Sequence, residues 1–403
     1  MTDPSMRAVG TRRLAQSYRA AATTGRDGAM RARRRTAAQY LWGLCSGTLV
    51  LYSAASSREV LMFRRVALCL CLTPVVAQVL SVFLTATPVA AKAARSATVI
   101  DLGAAPAGQI GRATAANNQG EVVGLLSADG GPAPEIHAGA WARGAWLNLG
   151  GGEALAINNH GEVAGFASEG TQQQATVWTR SGEARALPNL PSGAVSQATA
   201  INDRGVAAGY AQSGNTTHAV VWEKSRTARD LNPANATTSY AYGIDDAGQV
   251  VGAANGEAVL WDRAGIARTL GSGPGSIARA INEHGRVVGQ AGARAFSWSA
   301  ADGVQWLPTQ SGVSGSVALA ISQGGDIVGN ALFGDGFHAV SWHAGTMCDL
   351  NTLLPAGSGW QLKSAVAING STEIAGNGIH NGDQRAYLMK VDKAELAACT
   401  GHE

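Results

Sequence analysis

Histidine is the residue type in this sequence best suited to metal chemistry, and three histidines recur at one place in a repeated phrase. His137, His218 and His338 each stand directly before an alanine, and converging imidazoles can ligate zinc. Arginine, glutamine or glutamate takes that place in the four other copies. We therefore expect a structural or solvent-facing role for these histidines and predict no metal site.

A second group of candidates is a series of Asn-x-x-Gly and Asp-x-x-Gly turns. Calcium loops need several convergent oxygen ligands, but INDRGV at 201–206 and IDDAGQ at 244–249 offer at most two carboxylates each. Asn and Asp side chains also stabilise turns by accepting hydrogen bonds from nearby backbone N–H groups. The turns therefore predict a structural role and no bound cofactor.

Catalytic signatures are missing from the sequence. It contains no nucleophile elbow, no Ser/His/Asp arrangement and no phosphate-binding loop. Glycoside hydrolysis needs paired carboxylates, yet Arg279 is the only charged residue in the phrases that would form the inner strands. We expect no catalytic residues. Because loop side chains can converge, a polysaccharide hydrolase or lyase remains the alternative.

Charge is divided unevenly along the 403 residues. Residues 1–95 contain 14 Lys and Arg against 3 Asp and Glu, whereas residues 96–403 contain 17 against 25. A net acidic domain is a poor partner for phosphate backbones, which argues against nucleic-acid binding. The whole chain contains 52 glycines and many short apolar runs, which is typical of an all-β protein.

The N-terminal part has the pattern of an export signal. Arg64 and Arg65 precede an apolar run from Val66 to Leu84, and small residues follow near Ala91 and Ala93. This pattern predicts a signal peptide over 62–93 and a secreted, periplasmic or cell-surface protein. The alternative is an uncleaved anchor, which would be the protein's only membrane attachment. Residues 1–61 are interpreted as a mis-assigned extension or a disordered tail.

An internal repeat dominates the rest of the chain. The phrase A-x-A-I-N-x-x-G-x-x-x-G occurs seven times with a mean period of 42 residues. Its polar anchors are Asn117, Asn158, Asn202, Asp245, Asn282, Ser322 and Asn369. We number these copies repeats 1 to 7. Each phrase predicts a strand with small residues on one face, a tight turn and a second strand.

Two further phrases complete each repeat. The first of these phrases has alanine at its second position and ends in tryptophan in six repeats. In repeat 7 it ends in Met389. The tryptophans are Trp141, Trp178, Trp222, Trp261, Trp298 and Trp342. A short Leu-centred run follows. Four short strands in about 42 residues predict one blade of a β-propeller, with the tryptophans filling the space between blades.

The chain ends distinguish a ring from a linear stack. Repeat 7 stops after its third strand at RAYLMK, whereas an unmatched fourth-strand phrase, ATVIDLG from Ala97 to Gly103, precedes repeat 1. A linear stack would instead need polar caps at both ends. The complementary ends predict a seven-bladed β-propeller of four-stranded blades over 94–390, closed by the N-terminal strand, with a tail at 391–403.

A few residues outside the repeat phrases complete the candidates. Cys348 and Cys399 are the only cysteines beyond the signal segment and could pair as a disulfide or remain free thiols. Aromatic residues that interrupt the repeats are candidates for a ligand-facing surface or for local packing. The candidates are Tyr240, Tyr242, Trp306 and Trp360.

The repeat phrases resemble the HAF family of bacterial extracellular repeats, which is named for a His-Ala-Phe signature. Here the signature reads HAVVW at 218–222, HAVSW at 338–342 and RAFSW at 294–298. The resemblance implies export and a repeat fold, and it assigns no activity. We therefore expect a non-catalytic binding scaffold for a glycan, a protein or an envelope component. A purely structural surface repeat is the further alternative.

Overall fold

The computed structural model describes residues 97–103, 109–128, 136–170, 172–223 and 227–399, all within one compact unit. The predicted extension 1–61 and signal segment 62–93 lie outside these residues. Within the described ranges the protein is built almost entirely from antiparallel β-strands, which confirms the all-β prediction. None of the described helices reaches the length and hydrophobicity of a membrane span.

Each repeat starts with its A-x-A-I phrase as a strand. Repeats 1 and 2 contain β2 (Gln109–Ala116), β3 (Val122–Ala128), β4 (Ile136–Ala142), β5 (Ala145–Ile157), β6 (Val163–Glu169), β7 (Gln172–Trp178) and β8 (Ala184–Ala186). Repeats 3 and 4 contain β9 (Ser196–Ile201), β10 (Ala207–Ser213), β11 (Thr216–Trp222), β12 (Ala228–Asp230), β13 (Ser239–Ile244), β14 (Val250–Ala254), β15 (Glu257–Trp261) and β16 (Ala267–Pro274).

The second half of the chain follows the same order. Repeats 5 and 6 contain β17 (Ser276–Ile281), β18 (Val287–Ala291), β19 (Arg294–Ser299), β20 (Gly303–Trp306), β21 (Gly315–Ile321), β22 (Ile327–Phe333), β23 (Gly336–His343) and β24 (Thr346–Asp349). Repeat 7 contains β25 (Trp360–Ile368), β26 (Glu373–His380) and β27 (Asp383–Lys390). Among the described residues, one strand precedes repeat 1, and it is β1 (Thr98–Asp101).

Hydrogen bonding joins the described strands into five four-stranded sheets and one seven-stranded sheet. The larger sheet arises from β5, a strand of 13 residues. Its N-terminal part pairs with β4 as the fourth strand of repeat 1, and its C-terminal part pairs with β6 as the first strand of repeat 2. β1 lies beside β27, with Thr98 opposite Lys390 and Asp101 opposite Tyr387, so the last sheet has the order β1-β27-β26-β25.

A β-bulge interrupts the first strand of every repeat at the x residue of A-x-A-I. The bulge brings a carbonyl oxygen of the first strand against the glycine that ends the repeat phrase. A Cβ added to Gly252 would lie 1.9 Å from the oxygen of Tyr240, and one added to Gly289 would lie 2.0 Å from that of Ile277. Only glycine permits this approach, which explains why the second glycine of the phrase recurs.

The first glycine of the phrase has a different requirement. It occupies the left-handed region, for example at Gly161 with φ 78° and Gly248 with φ 86°, where residues with a Cβ are disfavoured. Repeat 7 has Thr372 at this place, with φ 59°. The Thr372 hydroxyl donates a hydrogen bond to the Val391 carbonyl oxygen at 2.5 Å, a contact glycine could not make.

The core consists of hydrophobic clusters that lie between consecutive repeats. Ala198 and Trp222 belong to the cluster between repeats 2 and 3, and Val340 and Trp342 to the one between repeats 5 and 6. A further cluster joins repeat 1 to repeat 7 and includes Leu388. Each repeat is therefore stabilised by burying apolar side chains against its neighbours.

The tryptophans of the third strands also join neighbours by hydrogen bonds. The indole Nε1 of Trp178 donates to the carbonyl oxygen of Leu149 at 3.1 Å, that of Trp222 to Pro188 at 2.8 Å, and that of Trp342 to Pro308 at 2.8 Å. Each acceptor belongs to the preceding repeat. Trp261 is fully buried, but its Nε1 has no hydrogen-bond partner among the described residues.

The residues after β27 pack on repeat 6. Helix α1 (Lys393–Ala398) begins with a capping box between Asp392 and Glu395, and Leu396 is buried in the cluster that contains Leu350. Cys348 and Cys399 form a disulfide, with Cα atoms 5.5 Å apart. This bond covalently attaches the end of the described chain to β24.

Replacing Gly252 with alanine is predicted to destabilise the protein by about 1–3 kcal/mol, because the new methyl group would overlap the Tyr240 carbonyl oxygen. Chemical denaturation of the two proteins measures the difference. Gly334→Ala is the matched control, since a Cβ there meets nothing within 4 Å. Equal losses at both positions would contradict the steric explanation.

Trp222→Phe is predicted to cost about 1 kcal/mol more than Trp261→Phe. Both indoles are buried to the same degree, so the loss of volume is matched, but only Trp222 donates to a carbonyl oxygen. Removing that donor leaves the Pro188 oxygen without a partner. Thermal and denaturant unfolding measure both variants, and equal costs would refute a contribution from the hydrogen bond.

Candidate functional site

The first strands of all seven repeats line one cavity of about 490 Å³, which we call the central cavity. The bulge leaves the x residue of each A-x-A-I phrase unpaired, and a bulge re-aims its side chain. All seven bulge residues contribute to the wall. They are Thr114, Leu155, Thr199, Tyr242, Arg279, Leu319 and Val366.

The bulge residues make the cavity wall chemically uneven. Repeats 4 and 5 contribute Tyr242 and Arg279, whereas repeats 6 and 7 contribute Leu319 and Val366. The flanking alanines are the small residues that the sequence predicted for a crowded interior. An invariant scaffold therefore presents a variable set of side chains at one position.

Aromatic rings cluster beside this wall. Tyr242 stacks on Tyr240 with ring centroids 6.3 Å apart and planes 8° apart, and Tyr210 meets Tyr240 edge to face at 5.2 Å. The guanidinium carbon of Arg279 lies 5.1 Å from the Tyr242 ring centroid. The sequence identified Tyr240 and Tyr242 as candidates but missed Tyr210, whose only signal was its position after the bulge glycine Gly209.

Partly buried polar groups extend this aromatic cluster. Burial raises the pKa of the Glu153 carboxyl, an effect that the positive charge of Arg112 partly offsets. Burial also raises the pKa of Tyr210 to about 12, with smaller contributions from Tyr242, Tyr240 and Glu153. The Tyr210 hydroxyl therefore stays protonated at neutral pH, and it donates to Gln197 Oε1 at 2.5 Å.

One end of the cavity is formed by the Asn-x-x-Gly turns. The Oδ1 atom of Asn158 accepts hydrogen bonds from the backbone N–H groups of His160 and Glu162, as predicted for these turns. Its Nδ2 atom donates to the carbonyl oxygen of Asn202 in the next repeat at 3.0 Å. Asn369 of repeat 7 likewise donates to the Asn117 carbonyl oxygen of repeat 1 at 3.4 Å.

The next residue of each turn forms a second series of bonds between repeats. The side chains that accept the backbone N–H of a neighbouring turn, at 2.8–3.2 Å, are Asn118, Asn159, Asp203, Asp246, Glu283 and Gln323. Three consecutive members are acidic. Burial and the carboxylates of Asp246, Asp245 and Asp203 raise the pKa of Glu283, whereas the Asp246 N–H lowers it.

These acidic side chains bear on the hydrolase alternative, which would be supported by carboxylates converging in the cavity. Asp203, Asp246 and Glu283 line the turn end, but each accepts a backbone hydrogen bond from its neighbour. No group of three or more His, Cys, Asp or Glu side chains suited to a metal ion occurs in the described part of the chain. The hydrogen bonds that Asp203, Asp246 and Glu283 accept connect neighbouring repeats.

In repeat 4 the donor and the acceptor of one hydrogen bond within the turn are exchanged. In repeats 1, 2 and 7 the anchor is Asn and donates to a Glu four residues later, for example Asn158 to Glu162 Oε2 at 2.7 Å. In repeat 4 the anchor is Asp245, which accepts from Gln249 Nε2 at 2.7 Å. Because Asp245 has no side-chain N–H, repeat 4 lacks the donation to the next anchor carbonyl that its preceding repeats make.

The double substitution Asp245→Asn with Gln249→Glu is predicted to raise the free energy of unfolding by about 1 kcal/mol. It would keep the contact within the turn and add an N–H donor toward the Asn282 carbonyl oxygen. Denaturant unfolding at neutral pH measures the gain. Gln249→Glu alone is the control and should destabilise, because it places two carboxylates together. An unchanged double variant would contradict the proposed inter-repeat bond.

The signature histidines do not line the cavity, and two of them pair with aspartates near the ends of the fourth strands. His218 Nδ1 lies 2.7 Å from Asp230 Oδ2, and His338 Nδ1 lies 2.7 Å from Asp349 Oδ2. His137 is on β4. The aspartates also accept backbone N–H bonds, as Asp230 does from Asn232. These contacts give the signature histidine a role in joining the third strand to the end of the fourth.

Serines near the start of the first strands were missed by the sequence analysis. Ser196, Ser239, Ser276 and Ser316 are buried, and each hydroxyl oxygen accepts the backbone N–H of the signature alanine in the preceding repeat. The available signal was a serine two residues before A-x-A-I in four of the repeats. Because the other three repeats lack this serine, the sequence did not indicate that it bonds the preceding repeat.

The two remaining aromatic candidates, Trp306 and Trp360, do not line the central cavity. Trp306 is 44% exposed at the end of β20, with the Arg294 guanidinium carbon 4.8 Å from its ring centroid. Trp360 was a candidate for a ligand-facing surface or for local packing, and the structure shows the packing role. It is buried in the core, stacked on His380 at 4.4 Å and against Tyr387 at 5.9 Å.

No family model and no curated protein matches the sequence. Among solved structures, virginiamycin B lyase from Staphylococcus aureus is 12% identical over 73% of this chain and 99% of that chain, with a TM-score of 0.45. TolB from Acinetobacter baumannii is 11% identical over 67% of this chain and 63% of that chain, with a TM-score of 0.41.

A third similar structure is the extracellular domain of a hybrid two-component system from B. thetaiotaomicron. It is 9% identical over 72% of this chain, with a TM-score of 0.44, and this chain spans only 39% of that one. At such TM-scores these similarities do not determine the activity of this chain. Its function has to be inferred from its own strand pairing and side chains.

Proposed function

We propose that this chain is an exported member of the HAF family that folds as a closed seven-bladed β-propeller. It acts outside the cytoplasm as a non-catalytic binding scaffold, and its ligand occupies the central cavity. The observation that carries the proposal is the set of seven bulge residues, one from each repeat, around a single cavity.

Contacts between the first and last repeats support closure. β1 pairs with β27, and Asn377 of repeat 7 exchanges two hydrogen bonds with the backbone of Ala113 in repeat 1, at 2.8 and 2.9 Å. The cluster with Leu126 and Leu388 buries apolar surface at the same junction. These contacts have the same character as those between consecutive repeats, which is the arrangement expected of a ring.

The variation of the bulge residues supports binding over a purely structural role. In a structural repeat one small apolar residue could serve at all seven bulges, since the flanking alanines and the glycine already define the backbone. Tyr242 and Arg279 instead place an aromatic face and a cation in the cavity. Ligand sites typically combine apolar or aromatic walls with a few convergent polar groups.

A glycan is the ligand class that these groups favour. Stacked rings such as Tyr240 and Tyr242 offer flat faces to sugar rings, while hydroxyl and guanidinium groups can bond sugar oxygens. The predicted signal segment would place the protein where polysaccharides are abundant. The net acidic mature segment supports the absence of a nucleic-acid partner.

The test is a glycan array probed with the exported protein, comparing the wild type with Tyr242→Ala and Trp306→Ala. We predict that Tyr242→Ala reduces binding to the glycans that the wild type retains by roughly tenfold or more, since stacking on Tyr242 is lost. Trp306→Ala, which removes an exposed aromatic ring away from the cavity, should leave binding unchanged.

The outcomes separate the alternatives. Binding that depends on Trp306 and not on Tyr242 would refute the central cavity as the site. Release of shortened products from a bound glycan, detected by mass spectrometry, would replace the non-catalytic scaffold with the hydrolase or lyase. No binding to any glycan would favour the structural repeat or another ligand class.

A further inference from the structure

Arg279 is a cation in the central cavity without an anionic partner. Arg180 and Arg385, by contrast, form ion pairs with Glu121 and Asp383. Arg279 makes no ion pair with any described residue, and its Nε atom is buried without a hydrogen-bond partner. A buried donor without a partner is costly, and in Arg279 it belongs to a guanidinium group at the cavity wall.

The chemistry of the guanidinium group limits what could satisfy it. A guanidinium presents its N–H donors in a planar fork that matches the two oxygens of a carboxylate. The Tyr242 ring lies against one face of the Arg279 guanidinium at 5.1 Å, which restricts its orientation. Because the Nε atom is buried, a ligand in the cavity that Arg279 lines would accept hydrogen bonds from the two terminal nitrogen atoms of the guanidinium.

We propose that Arg279 binds the carboxylate of a uronic acid in a glycan, while Tyr242 packs against the sugar ring. This inference deepens the proposed function, on which it rests, by naming the acidic class of glycan. The Thr199 hydroxyl already donates to the Ala241 carbonyl oxygen at 2.7 Å, so its oxygen remains an acceptor for a sugar hydroxyl.

Negative charge on a bound glycan is unfavourable at the turn end of the cavity, which is acidic. Asp203, Asp246 and Glu283 lie there, and neighbouring carboxylates already raise the pKa of Glu283. A polyanion with an acid group on every sugar would meet this repulsion, because like charges at short range are unfavourable. The site therefore suits a glycan in which uronates alternate with neutral sugars.

The experiment is isothermal titration calorimetry of the exported protein with uronate-containing oligosaccharides of a few sugars. The probes are oligosaccharides that alternate glucuronate, galacturonate or mannuronate with neutral sugars, and the methyl ester of each. Methyl esterification removes the charge and keeps the sugar skeleton. We expect at least one acid form to bind, its ester to bind at least tenfold more weakly, and the affinity to fall as salt is added.

Arg279→Gln should weaken binding of that acid form by roughly 10- to 100-fold, because hydrogen bonds to a charged group are lost. Arg294→Gln is the matched control, since Arg294 also lies 4.8 Å from an aromatic ring, that of Trp306, but does not line the cavity. It should leave the affinity unchanged. Unfolding temperatures of both variants establish that they fold.

Three results would overturn the inference. They are binding of acid and ester with equal affinity, equal losses in Arg279→Gln and Arg294→Gln, and no binding by any uronate oligosaccharide. If neutral glycans bind and depend on Tyr242 but not on Arg279, the proposed binding function stands and only the uronate assignment fails. If no glycan binds at all, the glycan assignment made under the proposed function fails together with the uronate assignment.

Discussion

The close approach of two backbones at each bulge is the constraint on which the rest of this structure depends. In every repeat a first-strand carbonyl oxygen occupies the space where the Cβ of the facing residue would be, as Tyr240 does at Gly252. The bulge breaks the two-residue alternation of the strand and frees one side chain from pairing. The same distortion therefore explains the invariant glycine and creates the wall of the central cavity.

Contacts across the junctions between repeats then fix how the sheets meet. Anchor asparagines, buried serines and tryptophan indoles each satisfy a backbone group of an adjacent repeat, as Asn158, Ser239 and Trp222 illustrate. These bonds are short-range and nearly identical from copy to copy, so stability accumulates junction by junction. Exceptions at Asp245 and Trp261 lose one contact each, and their neighbours retain the arrangement.

Much of this organisation could be predicted from the sequence because the repeat specifies it locally. Small residues, turn glycines and the strand phrase before repeat 1 indicated the strand order, including the pairing of β1 with β27. Periodicity could not reveal the bulge, since A-x-A-I reads as a regular alternating strand. Consequently Arg279 appeared only as an isolated charge. The sequence also left open whether Trp360 faces a ligand or packs locally, and the structure places it in the core.

The division between fixed and variable positions explains why the proposed binding site lies at the bulges. A substitution at the glycine or the flanking alanines disturbs the backbone, whereas a bulge residue points into open space and can change at little structural cost. Leu155, Thr199, Tyr242 and Arg279 occupy the same position within one framework. Residues that carry specificity are expected where the scaffold tolerates change, and in this fold that condition is met at the cavity wall that the first strands form.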